Sequence, residues 1–200
     1  MSSDHLIIGV GGRSGSGKST LVRRIQEAYS PEQVCLHAMD NYYRPQDQQF
    51  TDVAGYSNWD LPLSFFRKKY HDDLHHLIQG RPLHLLEYSF NNKSSRDIVI
   101  QPAPVIIVEG LFVFYYREIY EMMDLKVMMN VDFPTCFERR LRRDQEERNY
   151  EETEIRHLYT QHAEPAYQRF IKPFKSYADI LIANEASFPK IFIFFRFTYF

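Results

Sequence analysis

Between Gly12 and Ser19 the chain reads Gly-Arg-Ser-Gly-Ser-Gly-Lys-Ser, which fits the spacing G-x-x-x-x-G-K-[ST]. These residue types suit one task, the holding of phosphate. Glycines let the backbone curl until several N–H groups point into one concavity, and that concavity attracts an anion. A helix starting there adds the positive end of its dipole. Lys18 can bridge the outer phosphates of a nucleotide and Ser19 can ligate Mg²⁺. The residues expected to wrap ATP are therefore Gly12, Arg13, Ser14, Gly15, Ser16, Gly17, Lys18, Ser19 and Thr20. A dinucleotide site is the nearest rival. Gly9 and Gly11 begin G-x-G-x-x-G, and Asp40 stands at a plausible distance, but the sixth position is Ser14. The absent third glycine and the Lys18–Ser19 pair decide for the phosphate loop.

Two carboxylates can complete such a site. Asp40 follows the apolar run 34–39 and Glu109 follows 105–108. Ligands of open parallel sheets collect beyond the carboxyl ends of the strands, so both acids are expected to face the crevice of the phosphate loop. A helical stretch then carries Arg139, Arg140, Arg142, Arg143 and Arg148 among acids. Arg140 and Arg143 share a face and suit a lid over a transferring phosphoryl group. Arg139 and Arg142 read as a solvated, salt-bridged surface. Two other patterns carry less. His71-Asp-Asp-Leu-His75 imitates a zinc-protease motif, but its helix is studded with charge and no third ligand is evident. Asp52-Val-Ala-Gly55 imitates a GTPase D-x-x-G with no apolar strand before it, and no N-K-x-D appears.

The elements that must hold these groups are legible in the periodicity. Apolar runs at 5–10, 34–39, 104–108, 125–131 and 179–183 read as strands, several of them apolar on both faces, as a covered parallel sheet requires. Helical spacing predicts helices at 19–29, 64–79, 115–123, 134–148 and 153–171. The alternation argues for an α/β fold with helices on both faces of a parallel sheet. Residues 83–100 read as an inserted β-hairpin around Asn-Asn-Lys-Ser-Ser, and 41–62 as a loop serving the site. One domain over 1–187 is expected, with a lid at about 138–152.

Composition adds exclusions. The net charge of −2 implies no general attraction to nucleic acid. Cys35 and Cys136 lie far apart in no metal-like pattern, so reduced thiols of a cytoplasmic protein are expected. No secretory signal and no internal repeat are visible. Residues 188–200 hold seven aromatic side chains with no periodicity, too few residues to span a bilayer. A truncated or frame-altered end is the expectation, an interaction surface the alternative.

The ordered combination of pieces resembles the uridine/cytidine kinases, within the uridine kinase and phosphoribulokinase family. The pieces are the phosphate loop, Met-Asp-Asn-Tyr-Tyr-Arg at 39–44, Asn-Trp-Asp-Leu-Pro at 58–62, Tyr88-Ser-Phe90, Val-Glu-Gly at 108–110, Arg140-x-x-Arg143-Asp144 with Arg148, and Tyr-Ala-Asp-Ile at 177–180. The similarity runs from Leu6 to about Ala183. It implies a P-loop kinase fold with a five-stranded parallel core and transfer of the ATP γ-phosphate to a nucleoside 5′-hydroxyl, a step of pyrimidine salvage. It implies Asp40 as the base, Asp60 on the ribose hydroxyls, and Tyr43, Tyr88 and Phe90 around the nucleoside. Glu109 would help hold Mg²⁺ with Ser19 and Asp40, and Arg140, Arg143 and Arg148 would close over phosphates and acceptor. It also implies a tetramer. The chain departs from the pattern at Lys93, where a histidine usually reads the base, at Tyr150 in place of an arginine, and at Leu158 in place of a glutamine. Those departures leave open a kinase for another small alcohol, of pantothenate or phosphoribulose type, and a nucleotide-binding module without turnover.

Overall fold

The computed structural model describes residues 5–89 and 94–183, with 88, 89, 94 and 95 described as backbone only. The elements run β1 (Leu6–Gly12), α1 (Lys18–Ala28), β2 (Val34–Ala38), β3 (Phe50–Thr51), β4 (Ser57–Asn58), α2 (Arg67–Ile78), β5 (Leu83–Ser89), β6 (Ser94–Ile100), β7 (Val105–Glu109), α3 (Arg117–Tyr120), β8 (Leu125–Met129), α4 (Phe133–Arg148), α5 (Glu152–His157), α6 (Glu164–Ala166) and β9 (Ile180–Ile182). Five strands form one parallel sheet in the order β2-β7-β1-β8-β9. β5 and β6 pair antiparallel as the expected hairpin, from Leu83 opposite Ile100 to Ser89 opposite Ser94.

The strands are apolar on both sides because both sides are covered. Ile8, Val10, Ile107 and Val127 pack against Leu21, Val22 and Ile25 of α1. Ile7, Ile106, Val108 and Met128 turn to the opposite core, which holds Tyr70, Leu74 and Leu77 of α2. β1 is central, so the loop that leaves it opens in the middle of the sheet's carboxyl edge. The register places Glu109 opposite both Val10 of β1 and Ala38 of β2. The phosphate loop, Glu109 and Asp40 therefore leave three neighbouring strands at one level.

Local chemistry explains the main boundaries. Gly17 and Gly15 of the phosphate loop show why glycine is needed there. Gly17 stands before α1 at φ 93°. Gly15 has φ 82°, and a Cβ there would come within 2.3 Å of the Cys136 carbonyl oxygen. Both lie in left-handed space that side chains resist. α4 starts where Asp132 accepts the Thr135 N–H at 3.0 Å, with Pro134 in the first turn, and ends at Asn149 with φ 55°.

Three expected helices differ from their predicted spans. The stretch at 115–123 is a single α-turn, Arg117–Tyr120. The helix predicted at 64–79 starts at Arg67, because Pro62–Ser64 forms a short 3₁₀ turn of its own. The stretch at 153–171 is composite. α5 widens into π-helical turns at Leu158–Ala163 and again at Tyr167–Ile171, with α6 between them. Pro165 sits between the two wide turns and has no N–H for the carbonyl four residues back, so a regular α-helix cannot run through.

Candidate functional site

A cleft of about 710 Å³ opens at the carboxyl edge of the sheet. Ser14, Gly15, Gly17, Lys18, Ser19 and Thr20 line its floor, Asp40 and Glu109 one side, and Arg139, Arg140, Arg142, Arg143 and Arg148 of α4 the roof. Tyr43, Tyr56, Trp59, Asp60, Leu111 and Leu158 line the far end. Arg139 and Arg142 thus border the cleft, although sequence placed them on a solvated face.

Within the phosphate loop the residues divide. Lys18 is buried, with Nζ donating to the Arg13 carbonyl at 3.3 Å. The Arg13 guanidinium pairs with Glu164 and lies 3.8 Å from the Tyr167 ring centroid. It is anchored in protein, so any contribution of Arg13 to phosphate comes through its backbone N–H. Ser16 is fully buried beneath the loop, and Gly12, Arg13 and Ser16 do not line the cleft.

The turn at Met39–Tyr42 presents Asp40 to solvent while its neighbours anchor it. Met39 and Tyr42 are buried. Tyr42 donates to Asp73 at 2.7 Å, and Lys69 donates to the same carboxylate oxygen at 2.6 Å. His37 stacks on Tyr70 at 4.3 Å, with Nε2 2.8 Å from the Tyr70 carbonyl. Burial holds the His37 imidazole down at about 4, so it stays neutral and serves as packing.

Glu109 is buried, and that burial pushes its carboxyl up to about 7; Lys18 opposes the shift and Asp40 adds to it. A buried acid beside a second carboxylate is an anion short of positive charge. A hydroxyl at Ser19 and carboxylates at Asp40 and Glu109 form an all-oxygen donor set, the kind Mg²⁺ takes. The residues present therefore fit that ion. A pH dependence follows. The folded pKa lies above the ordinary carboxyl value, so the folded chain holds a proton that the unfolded chain has lost between about pH 4.5 and 7. Stability from this group is present below that window and lost as pH rises through it. Glu109→Gln should therefore gain stability on the wild type as pH rises through the window. Urea unfolding without metal or nucleotide measures this, and a gap that does not change with pH contradicts it. His37 acts in the opposite direction, because its depressed pKa costs stability as pH falls from about 6.5 to 4, so the comparison must be made at each pH.

Asp144 organises the roof. It is fully buried and takes the Arg140 Nε at 3.2 Å, Arg143 at 2.7 Å and Arg148 at 3.3 Å. Arg140 also reaches Asp60 at 3.4 Å, with both side chains buried. The sequence signal for this hub is the spacing: 140, 144 and 148 are four apart and share one helix face. Burial and crowding by Arg143 lower the pKa of Arg148. Tyr43 packs against Phe65 at 4.0 Å and Trp59 at 5.6 Å between ring centroids. Trp59 carries no chemical signature of its own in sequence, yet it shares the wall with Tyr43. Of the residues expected around an acceptor, the Tyr88 side chain, Phe90 and Lys93 lie outside the described residues, as does the 188–200 tail. The described part of the hairpin reaches the site through a second cleft of about 750 Å³, where Glu87, Arg96 and Ile98 meet Ser19, Asp40, Glu109 and Arg148.

The two discounted motifs have plain structural outcomes. His71 and His75 are neighbours on α2, their rings 4.6 Å apart, with no third ligand among the described residues. Asp52 shapes a tight turn, its Oδ1 accepting the N–H groups of Ala54 and Tyr56 at 2.9 Å each. Hydrogen bonds, the His157 one largest, hold the Asp52 carboxyl well below its ordinary range. Cys35 and Cys136 are buried free thiols. Among the described residues no helix is long and apolar enough to cross a membrane.

Comparison with known proteins gives a consistent result. Residues 7–187 match the family model of the phosphoribulokinase/uridine kinase family. A uridine kinase of Streptococcus agalactiae is 34% identical over 189 residues, covering 94% of this chain and 90% of that one. A uridine kinase of Deinococcus deserti is 35% identical over 180 residues, 89% of this chain and 87% of that one. Among solved structures, a possible uridine kinase from Bacillus stearothermophilus shares the fold with a TM-score of 0.66 at 18% identity, over 91% of this chain and 90% of that one.

Proposed function

Because this chain belongs to the phosphoribulokinase/uridine kinase family, we propose that it transfers the γ-phosphate of ATP to the 5′-hydroxyl of a pyrimidine ribonucleoside, uridine before cytidine. The observation that carries this reading is a convergence on one cleft, lined by the phosphate loop, by Asp40, and by Asp60 with Tyr43 and Trp59. A phosphate-holding loop, a carboxylate and an aromatic wall in one cleft are the parts that a reaction between a triphosphate and an alcohol needs.

In this reading backbone N–H groups of the loop and Lys18 hold the nucleotide phosphates. Ser19, Asp40 and Glu109 would hold Mg²⁺, which when bound neutralises charge on the phosphates. Asp40, exposed at a strand end, orients the acceptor hydroxyl and takes its proton. Arg140, Arg143 and Arg148, gathered by Asp144, place positive charge above the transferring group. Asp60 accepts hydrogen bonds from vicinal ribose hydroxyls, and a carboxylate already bonded to Arg140 retains lone pairs to do so. Tyr43 and Trp59 supply flat apolar walls. Leu158 and Tyr150 line the same cleft, so the positions where the family carries an amide and a guanidinium are here apolar or aromatic. Discrimination between bases should be correspondingly loose. The hairpin residues Tyr88, Phe90 and Lys93 complete the proposed nucleoside enclosure.

The test is ADP release with uridine, cytidine, deoxyuridine, adenosine and pantothenate, ranked by kcat/KM. Loss of the 2′-hydroxyl should cost more than a change of pyrimidine. One hydrogen bond to a charged group is worth about 1.5–3 kcal/mol, or roughly 10- to 150-fold. Deoxyuridine matching uridine would remove Asp60 from the ribose role, and activity on pantothenate alone would overturn the substrate class.

A further inference from the structure

Outside the nucleotide cleft, one cluster of side chains converges with no role in phosphoryl transfer. Nε2 of His157 and Nε2 of His162 both lie against the same oxygen of Asp52, at 2.7 and 2.8 Å. One ligand atom from each of the three residues falls within 4.8 Å of the others. Asp52 is more than a hundred residues away in sequence, on the loop between β3 and β4. Two imidazoles that compete for one carboxylate oxygen are an unusual way to satisfy either ring. Two imidazoles and a carboxylate around one point are one of the established ligand sets for Zn²⁺.

The backbone is shaped to bring them together. His157 and His162 are five apart, and on an α-helix such residues point about 140° away from each other. Here the π-helical turn Leu158–Ala163 intervenes, and its wider winding swings both rings to one side. The carboxylate is fixed as well. Its Oδ1 is occupied by the Ala54 and Tyr56 N–H groups, which leaves Oδ2 aimed at the rings. His162 is buried, and its ring makes its hydrogen bond through Nε2 to Asp52. His157 and Asp52 are about 29% and 20% exposed, which gives an ion a path from solvent.

We propose that Asp52, His157 and His162 form a three-ligand site for Zn²⁺ or a similar late first-row divalent ion, with water as the fourth ligand. Bonds of about 2.0–2.2 Å in a tetrahedron separate ligand atoms by about 3.4 Å, so the two present contacts open slightly as the ion enters between them. The site is distinct from the Mg²⁺ position in ligand chemistry, since imidazole favours zinc over magnesium. It also joins two separate parts of the fold. The Asp52 loop leads directly into Trp59 and Asp60, and the His157–His162 turn carries Leu158 of the cleft wall. A bound ion would staple the acceptor-side loop to the helix after the arginine roof. This holds whatever alcohol the cleft accepts.

Titration of the full chain with Co²⁺ in the presence of excess Mg²⁺ tests the site, read by the intense visible absorption of a low-symmetry four-coordinate ion and by displacement with Zn²⁺. The wild type should take up one equivalent with Zn²⁺-displaceable absorption, and Zn²⁺ should raise its Tm. His157→Ala, at a partly exposed position, and Asp52→Asn, which keeps an acceptor for the turn, should each weaken Co²⁺ binding by at least about tenfold. The double variant of His71 and His75 to alanine should retain it, which separates this site from the histidine pair on α2. Circular dichroism of each variant shows that the fold is kept, and if one variant is unfolded the other decides. Unaltered Co²⁺ binding in His157→Ala or Asp52→Asn, loss of the signal only with His71 and His75, or no uptake by the wild type at submillimolar Co²⁺ would each overturn the proposal.

Discussion

Replacing Asp40 by asparagine should leave ATP binding intact and lower turnover with the preferred acceptor by about 10²- to 10⁴-fold, the usual worth of a positioned general base. The expectation rests on where the backbone puts this side chain. Asp40 is exposed on a turn whose neighbours Met39 and Tyr42 are buried, so the carboxylate is held out over the cleft by a rigid support. Asparagine has nearly the same shape, keeps the support and cannot take a proton. KM for ATP should therefore move little while kcat falls. Equilibrium nucleotide binding beside steady-state turnover separates the two effects. A variant with near wild-type kcat would remove Asp40 from the role of base, and one that no longer binds ATP would make its share in holding Mg²⁺ outweigh any role as base.

Asp144→Ala should be the most destabilising single change in the roof. Its carboxylate is fully buried and pairs with Arg140, Arg143 and Arg148. Removing one partner from a buried ion cluster costs about 3–5 kcal/mol, because uncompensated charge is left behind. Arg140 keeps a second partner in Asp60, but Arg148, already lowered in pKa by burial and by Arg143, loses a buried carboxylate at 3.3 Å. Turnover should fall with stability, since the arginines no longer share a fixed origin above the phosphates. Urea unfolding of the variant, with kcat measured well below its midpoint, checks both. A loss under about 1 kcal/mol with full activity would show that the arginines are held by other means.

The sheet was legible in sequence because its inner strands β1 and β7 are buried on both faces, so their apolar runs are nearly continuous and their ends are sharp. The phosphate loop was legible because its glycines answer a local backbone demand, as at Gly15, where a methyl group would meet the Cys136 carbonyl. Asp40 and Glu109 could be found because they stand where apolar runs stop. Asp144 was within reach through its spacing from Arg140 and Arg148, but a carboxylate among arginines also describes an ordinary solvated face, and only burial separates the two cases. Arg139 and Arg142 show the same ambiguity in reverse. The Asp52–His157–His162 cluster was out of reach. It joins a loop to a helix from distant parts of the chain, and it depends on a π-helical turn that α-helical spacing does not foresee. The composite helix itself had a visible cause in Pro165, whose effect on the winding of its neighbours does not follow from composition.

The central claim, transfer of the ATP γ-phosphate to a ribonucleoside 5′-hydroxyl in this cleft, is tested most directly by incubating the protein with γ-³²P-ATP, Mg²⁺ and uridine and identifying the labelled product. The account predicts that label appears in uridine 5′-monophosphate with stoichiometric ADP, and that Asp40→Asn abolishes most of it. Label released only as inorganic phosphate, or transferred to no ribonucleoside while another small alcohol accepts it, would contradict the account.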